Sequence, residues 1–177
     1  MSKTVELKEY IRSIPDFPKP GILFRDITTL LKDPKAFNFA VNALAEKYKD
    51  KGIDTVAAVE ARGFILGGAV ANKLGVGFVP VRKKGKLPWK TTSVSYDLEY
   101  GTDTLEIHED AIGAGEKVLI VDDLLATGGT VKAVTELVEQ KKAKISGIAF
   151  LVELIDLGGK DKLKAYPVYS LIKFPGH

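Results

Sequence analysis

The sequence predicts a single α/β domain built on an open, mostly parallel sheet flanked by helices. Three observations carry this. The segments 54–59, 76–81, 118–121 and 145–152 are short runs rich in Val, Ile, Ala and Leu, apolar on both faces as strands buried in a parallel sheet are. Helical patterns lie between them, such as Val131, Val134, Leu137 and Val138 on one face. Two of the runs end abruptly in charge, at Glu60-Ala61-Arg62-Gly63 and at Asp122-Asp123, the strand ends where ligands bind in open α/β sheets.

In chain order, residues 4–14 carry Val5, Leu7, Tyr10, Ile11 and Ile14 among charges and read as a short amphipathic helix. Pro15, Pro18 and Pro20 then impose an irregular path through Asp16 to Ile27, a stiff arm over something or a plain packed terminus. Asp33-Pro34 gives an N-cap followed by Pro at the first helical position, with Phe37, Ala40, Val41, Leu44, Ala45 and Tyr48 as the apolar face. The strand at 54–59 leads through Glu60 into a helix ending near Leu74. After the strand at 76–81, five of the nine residues from Arg82 to Lys90 are cationic and are interrupted by Gly85 and Pro88. Such a run is usually a solvated face, but here it leads into alternating segments at 93–98 and 102–107 around Glu99-Tyr100-Gly101, a hairpin that reads as a flexible lid. The helix after Thr130 runs to about Lys141, and strands at 145–152 and 169–174 close the chain, with a break at Gly158-Gly159. Trp89 has no clear assignment, either packing the closed lid or lying exposed, with packing favoured, and His108 reads as structural or solvated because no second His stands near it.

Composition narrows the function classes. The 177 residues are 45% hydrophobic and 28% charged, ordinary for a globular domain. A net charge of +3 is too mild to indicate nucleic acid. With no cysteine there is neither a disulfide framework nor a thiolate metal site. The first ten residues carry no apolar signal region and no run of about 18 apolar residues is present, so a cytoplasmic protein without membrane attachment is expected.

The most informative stretch is Val118-Leu119-Ile120-Val121-Asp122-Asp123-Leu124-Leu125-Ala126-Thr127-Gly128-Gly129-Thr130. It reads as a strand through 121 followed by the turn into a helix. The segment Ala126, Thr127, Gly128, Gly129 and Thr130 can wrap a phosphate with backbone N–H groups and hydroxyls at a helix N-terminus. Asp122 and Asp123 accept hydrogen bonds and suit sugar hydroxyls or a hydrated metal. Together they describe a site for a ribose 5-phosphate. In a plainer reading the Asp pair caps the helix and the glycines only make the turn. Arg62 could hold a pyrophosphate or merely pair with Glu60.

This stretch resembles the 5-phosphoribosyl-1-pyrophosphate (PRPP) motif of the type I phosphoribosyltransferases, and it is neither a Walker loop nor a dinucleotide fingerprint. The resemblance spans about Asp16 to Phe174 and implies that family's fold, with a small N-terminal hood (about 1–33), an α/β core (about 34–177) and a hairpin lid (about 82–105). It implies that Asp122 and Asp123 hold the ribose hydroxyls, residues 126–130 hold the 5-phosphate, and Ala61, Arg62, Arg82 and Lys86 serve the pyrophosphate. Pro20-Gly21-Ile22-Leu23-Phe24-Arg25-Asp26-Ile27 is similar to the hood of the adenine-specific branch, where backbone near Phe24 and Arg25 reads the base while Leu23 and Leu154 pack on its faces. Backbone readout suits adenine, whose amino donor beside a ring acceptor meets a mirrored peptide pair; a 6-oxopurine would leave those groups unpaired. Leu98-Glu99-Tyr100-Gly101 is similar to a motif whose acid exchanges a proton with the purine, a catalytic role for Glu99.

The expected reaction joins adenine to PRPP, giving AMP and pyrophosphate, with Mg²⁺ held near Asp122 and Asp123 mostly through PRPP and water. In the family the residue at Arg82 commonly reaches a neighbouring subunit's site, which implies a homodimer. Nucleic acid is not expected as a partner. Two alternatives stay open at this point: a transferase for another base such as xanthine, and a PRPP-sensing regulator that keeps the fold.

Overall fold

The run Thr55–Val59 is buried at all five positions because both of its faces are covered, so its alternate side chains point into two different cores. A computed structural model describes residues 7–98 and 100–176. The catalytic candidate Glu99 lies outside the described residues, as do residues 1–6 and 177.

Helical residues 7–9 lead into β1 (Arg12–Ile14), which pairs antiparallel with β2 (Phe24–Asp26) in a separate two-stranded hood. The expected helix over 4–14 therefore gives way to a strand at its C-terminal end. There Arg12 donates to Asp26 Oδ2 at 3.1 and 2.5 Å, and the partner strand supplies the ladder that helix periodicity cannot foresee. After α1 (Thr28–Lys32), α2 (Pro34–Glu46) starts as expected: the Asp33 carboxylate accepts from Lys35 and Ala36 N–H groups, and Pro34 sits where no N–H is needed.

The core sheet comprises β3 (Thr55–Val59), β4 (Gly77–Lys83), β5 (Thr91–Asp97), β6 (Thr102–His108), β7 (Lys117–Leu125), β8 (Lys144–Leu154) and β9 (Val168–Phe174). Their spatial order is β5-β6-β4-β3-β7-β8-β9. Strands β4, β3, β7, β8 and β9 run parallel, while the β5–β6 hairpin joins the edge of β4 antiparallel. Helix α3 (Arg62–Leu74) connects β3 to β4 on one side; α4 (Gly129–Gln140) connects β7 to β8 on the other. One core packs Leu119, Val121, Ala149 and Leu151 against α2 and α3; the second packs Ile120, Ile148 and Phe150 against Val131, Val134, Leu137 and Val138 of α4. Because the chain winds outward in opposite directions from β3 and β7, these adjacent strands bound a switch point, where an open α/β sheet leaves a crevice at its carboxyl edge.

Strand β7 continues through both aspartates and both leucines to Leu125, four residues beyond the apolar run. The cause is β8, which also runs long and pairs Val152 with Leu124 and Glu153 with Leu125. The turn is thereby reduced to 126–128, and Gly129 and Thr130 already belong to α4.

Candidate active site

Each side of the switch point contributes one strand end and one helix start. On the β3 side, Glu60 and Ala61 turn the chain through a cis peptide bond into α3, with Ala61 at the N-cap. On the β7 side, Asp122 and Asp123 are buried to 9% and 6% exposure. The two sides touch. Gly63, in the first turn of α3, lies so close to Asp122 that a Cβ there would fall 2.7 Å from Asp122 Oδ1. Asp122 Oδ1 also accepts the Asp123 N–H at 2.9 Å. Burial, reinforced by the Asp123 charge, pushes the Asp122 carboxyl well above its ordinary value; the Asp123 N–H and the Arg62 charge pull the other way.

Arg62 does not pair with Glu60. Its Nε lies 2.8 Å from Asp123 Oδ2, an ion pair in which the N–H is not aimed at the oxygen, so Oδ2 keeps its hydrogen-bonding capacity. A buried acceptor without a hydrogen bond suits a sugar hydroxyl or the water shell of a cation. Among the described residues no group of three or more His, Cys, Asp or Glu is placed to hold a metal ion. Two carboxylates fit Mg²⁺ only if most of its ligands come from substrate and water, as Mg²⁺ bound with phosphates prefers.

The segment after β7 forms a hollow of about 100 Å³ lined by Asp122, Ala126, Thr127, Gly128, Gly129 and Thr130. No side chain caps α4, so its first N–H groups are left to a ligand and the Asp pair is not a cap. Gly128 has φ +81°, the left-handed region that Gly occupies without strain.

Beside the hollow at 126–130, Tyr96, Asp97 and Leu98 of the hairpin face Thr127, Gly129 and Thr130 across a cavity of about 380 Å³, with Lys162 at its side. At the root of the lid, Glu60 accepts the Lys83 N–H at 2.8 Å through Oε1, and its Oε2 lies 3.3 Å from Arg82 Nη2. Burial alone would raise the Glu60 carboxyl, but these hydrogen bonds and the charges of Arg82 and Lys86 outweigh it and hold it below its ordinary value. Arg82 is thus half-buried and turned toward its own lid root, while Lys86 is exposed. Trp89 remains 54% exposed with its ring edge-on to His108 at 6.4 Å.

The hood approaches the same crevice. The Phe24 ring lies 5.2 Å from the Arg62 guanidinium and 5.1 Å from the Phe17 ring. Arg25 points away: it is 8% exposed, stacks on Phe174 at 4.3 Å and donates to Ser13 Oγ, so only its backbone is available to a ligand. Leu23 is half-buried, and Leu154 is buried at the end of β8 opposite Phe174. The contacts of Glu60, Gly63 and Gly159, with Arg82, Asp122 and Gly128 respectively, escape a reading of strand-end motifs. Glu60 is visible as a strand-end acid, but its partner Arg82 lies 22 residues away and is brought in only by the β3–β4 pairing.

Paired buried carboxylates, an uncapped helix start with a glycine loop, and cationic side chains thus meet around one crevice of a mostly parallel α/β sheet. Residues 28–175 match the family described as phosphoribosyl transferase domain. The chain is 57% identical to adenine phosphoribosyltransferase of Escherichia coli O157:H7, over 97% of this chain and 94% of that protein. It is 58% identical to the enzyme of the same name from Methylobacterium nodulans, over 97% and 96%. A crystal structure of adenine phosphoribosyltransferase from Thermoanaerobacter pseudethanolicus superposes with a TM-score of 0.94 at 56% identity, covering 97% of this chain and all of that one. The Saccharomyces cerevisiae enzyme, complexed with adenine and an imino-altritol bisphosphate, gives 0.91 at 43% identity, covering 96% and 98%. The chain belongs to the phosphoribosyltransferase family and, within it, to the adenine phosphoribosyltransferases.

Proposed function

We infer that this protein transfers the 5-phosphoribosyl group of PRPP to N9 of adenine, releasing AMP and pyrophosphate. The observation that carries the reading is the Asp122–Asp123 pair and its phosphate loop at the switch point, with Phe24 of the hood stationed beside it through Arg62. Similarity over nearly the whole chain to enzymes named for this activity supports the choice of base.

The carboxylates of Asp122 and Asp123 take the ribose hydroxyls, and residues 126–130 anchor the 5-phosphate on the N–H groups of α4. With both ends of the sugar fixed, adenine N9 and the anomeric carbon are held in line. The C1–N9 bond forms as the C1–O bond to pyrophosphate breaks, and the N9 proton leaves. Arg62, Arg82 and Lys86, with backbone at Ala61, balance the charge gathering on pyrophosphate. Glu99 exchanges the purine proton, and the hairpin that carries it excludes water when it lies over the crevice. Asp122 and Asp123 would hold Mg²⁺ mostly through substrate oxygens and water, where it would supply further charge neutralisation to the pyrophosphate. The base sits between Leu23 and Leu154, read by the backbone at Phe24 and Arg25. A homodimer in the cytoplasm, without nucleic-acid or membrane partners, completes the reading. No helix among the described residues is long and apolar enough to cross a membrane.

A base competition tests it. With equal adenine, hypoxanthine and xanthine, PRPP and Mg²⁺, AMP should be the dominant nucleotide product. Turnover of hypoxanthine or xanthine with adenine inert would overturn the choice of base.

A further inference from the structure

Strands β1 and β2 form a sheet of their own, seated on the core by buried Leu7, Ile11 and Ile27 and tied to it further by cationic side chains that lie against aromatic rings. Arg25 of the hood stacks on Phe174 at 4.3 Å, and Lys19 lies 5.3 Å from the Tyr100 ring of the hairpin. The third tie is Arg62, whose guanidinium lies 5.2 Å from the Phe24 ring while its Nε lies 2.8 Å from Asp123 Oδ2. Unlike Arg25 and Lys19, and unlike Lys8, which lies 5.5 Å from the Phe174 ring, Arg62 also touches a group that the ribose would engage.

We propose that Arg62, besides its charge toward pyrophosphate, couples the two halves of the site through Asp123 and Phe24, so that filling the ribose-phosphate half strengthens binding of the base. The inference rests on the functional reading above and deepens it. Arg62 opens α3, whose N-terminal turn is pressed against Asp122 at Gly63, so its backbone is fixed to the β7 strand end. Its contact with Asp123 is an ion pair without an aimed hydrogen bond, so Oδ2 still has capacity to accept from a sugar hydroxyl. A sugar hydroxyl donating to Asp123 Oδ2 restrains the carboxylate further, and the guanidinium paired with it is restrained as well. The planar cation then holds the Phe24 ring, the first residue of β2, whose backbone reads adenine. Ordering done by the first ligand need not be repeated by the second, which is positive coupling by reduced conformational freedom. The same factor must appear when the ligands are added in the opposite order.

An alternative role for Arg62 is simply to neutralise a buried carboxylate. That role involves Asp123 alone and gives no dependence on the ring of Phe24. Phe24→Leu separates the two, because it keeps an apolar side chain and removes the ring face. Adenine binding is measured by calorimetry with and without saturating ribose 5-phosphate, which carries no pyrophosphate and does not react. In the wild type adenine should bind about fivefold or more tighter when ribose 5-phosphate is present, the lower end of typical couplings. In Phe24→Leu and in Arg62→Gln the two adenine affinities should agree within about twofold, and Arg62→Lys should recover part of the difference. Thermal melts establish that each variant is folded. Equal adenine affinities in the wild type, or an undiminished ratio in folded Phe24→Leu, would overturn the coupling while leaving the transferase reading intact. Failure of the wild type to bind adenine in either condition would overturn both.

Discussion

Gly128 and Gly159 meet without side chains between them: a Cβ on Gly128 would lie 2.6 Å from the carbonyl oxygen of Gly159. The second glycine begins a 3-10 turn after β8, so the loop at 126–128 is braced by backbone from a distant segment. Gly159→Ala should displace residues 126–128 and raise the KM for PRPP by up to about 10²-fold, the scale of a misplacement of about 1 Å. Steady-state kinetics at saturating adenine check this; an unchanged KM would show that the brace is dispensable.

Gly63→Ala is expected to act from the other side of the crevice. The new methyl would fall 2.7 Å from Asp122 Oδ1, on a buried carboxylate already committed to the Asp123 N–H. Since the Asp122 side chain is short and enclosed, α3 and β7 must part. We expect kcat/KM for PRPP to fall by about 10²-fold, with only a modest loss of melting temperature.

Glu60 is expected to hold Arg82 and the lid root in place. Glu60→Gln keeps the shape and loses the charge that faces Arg82 and Lys86. Charge-assisted hydrogen bonds are worth enough that PRPP KM should rise about tenfold, with the adenine KM held within about twofold. Parallel rises in both KM values would argue for general damage instead.

The hood carries its own acid limit. Hydrogen bonds from Thr28 and Arg12 lower the Asp26 carboxyl from 3.8 to about 2. A carboxyl lowered on folding stabilises the folded state above its unfolded value, and the contribution is lost as pH falls through the folded value. The stability gap between wild type and Asp26→Asn should therefore be full at pH 6 and shrink between pH 4 and about 2. Urea midpoints across that range check it; a gap independent of pH would contradict the assignment.

The layers of the fold were legible because burial on two faces and helical spacing are local properties of the chain. The motif from Val118 to Thr130 could be read because its carboxylates and its phosphate loop are contiguous. What escaped depends on pairing between distant segments. Strand β7 extends to Leu125 only because β8 runs beside it, and residues 12–14 become a strand only because β2 returns to meet them. Likewise Arg62 faces Asp123 rather than Glu60 because α3 packs across the β7 end, which no spacing along the sequence discloses.

The most direct test of the account is the rate of AMP formation from adenine, PRPP and Mg²⁺ by the wild type and by the Asp122→Asn, Asp123→Asn double variant. The wild type should convert adenine, and the double variant should be slower by at least about 10²-fold, as losing two charge-assisted hydrogen bonds to the sugar implies. A double variant with wild-type turnover, or a wild type that binds PRPP and consumes no adenine, would contradict it.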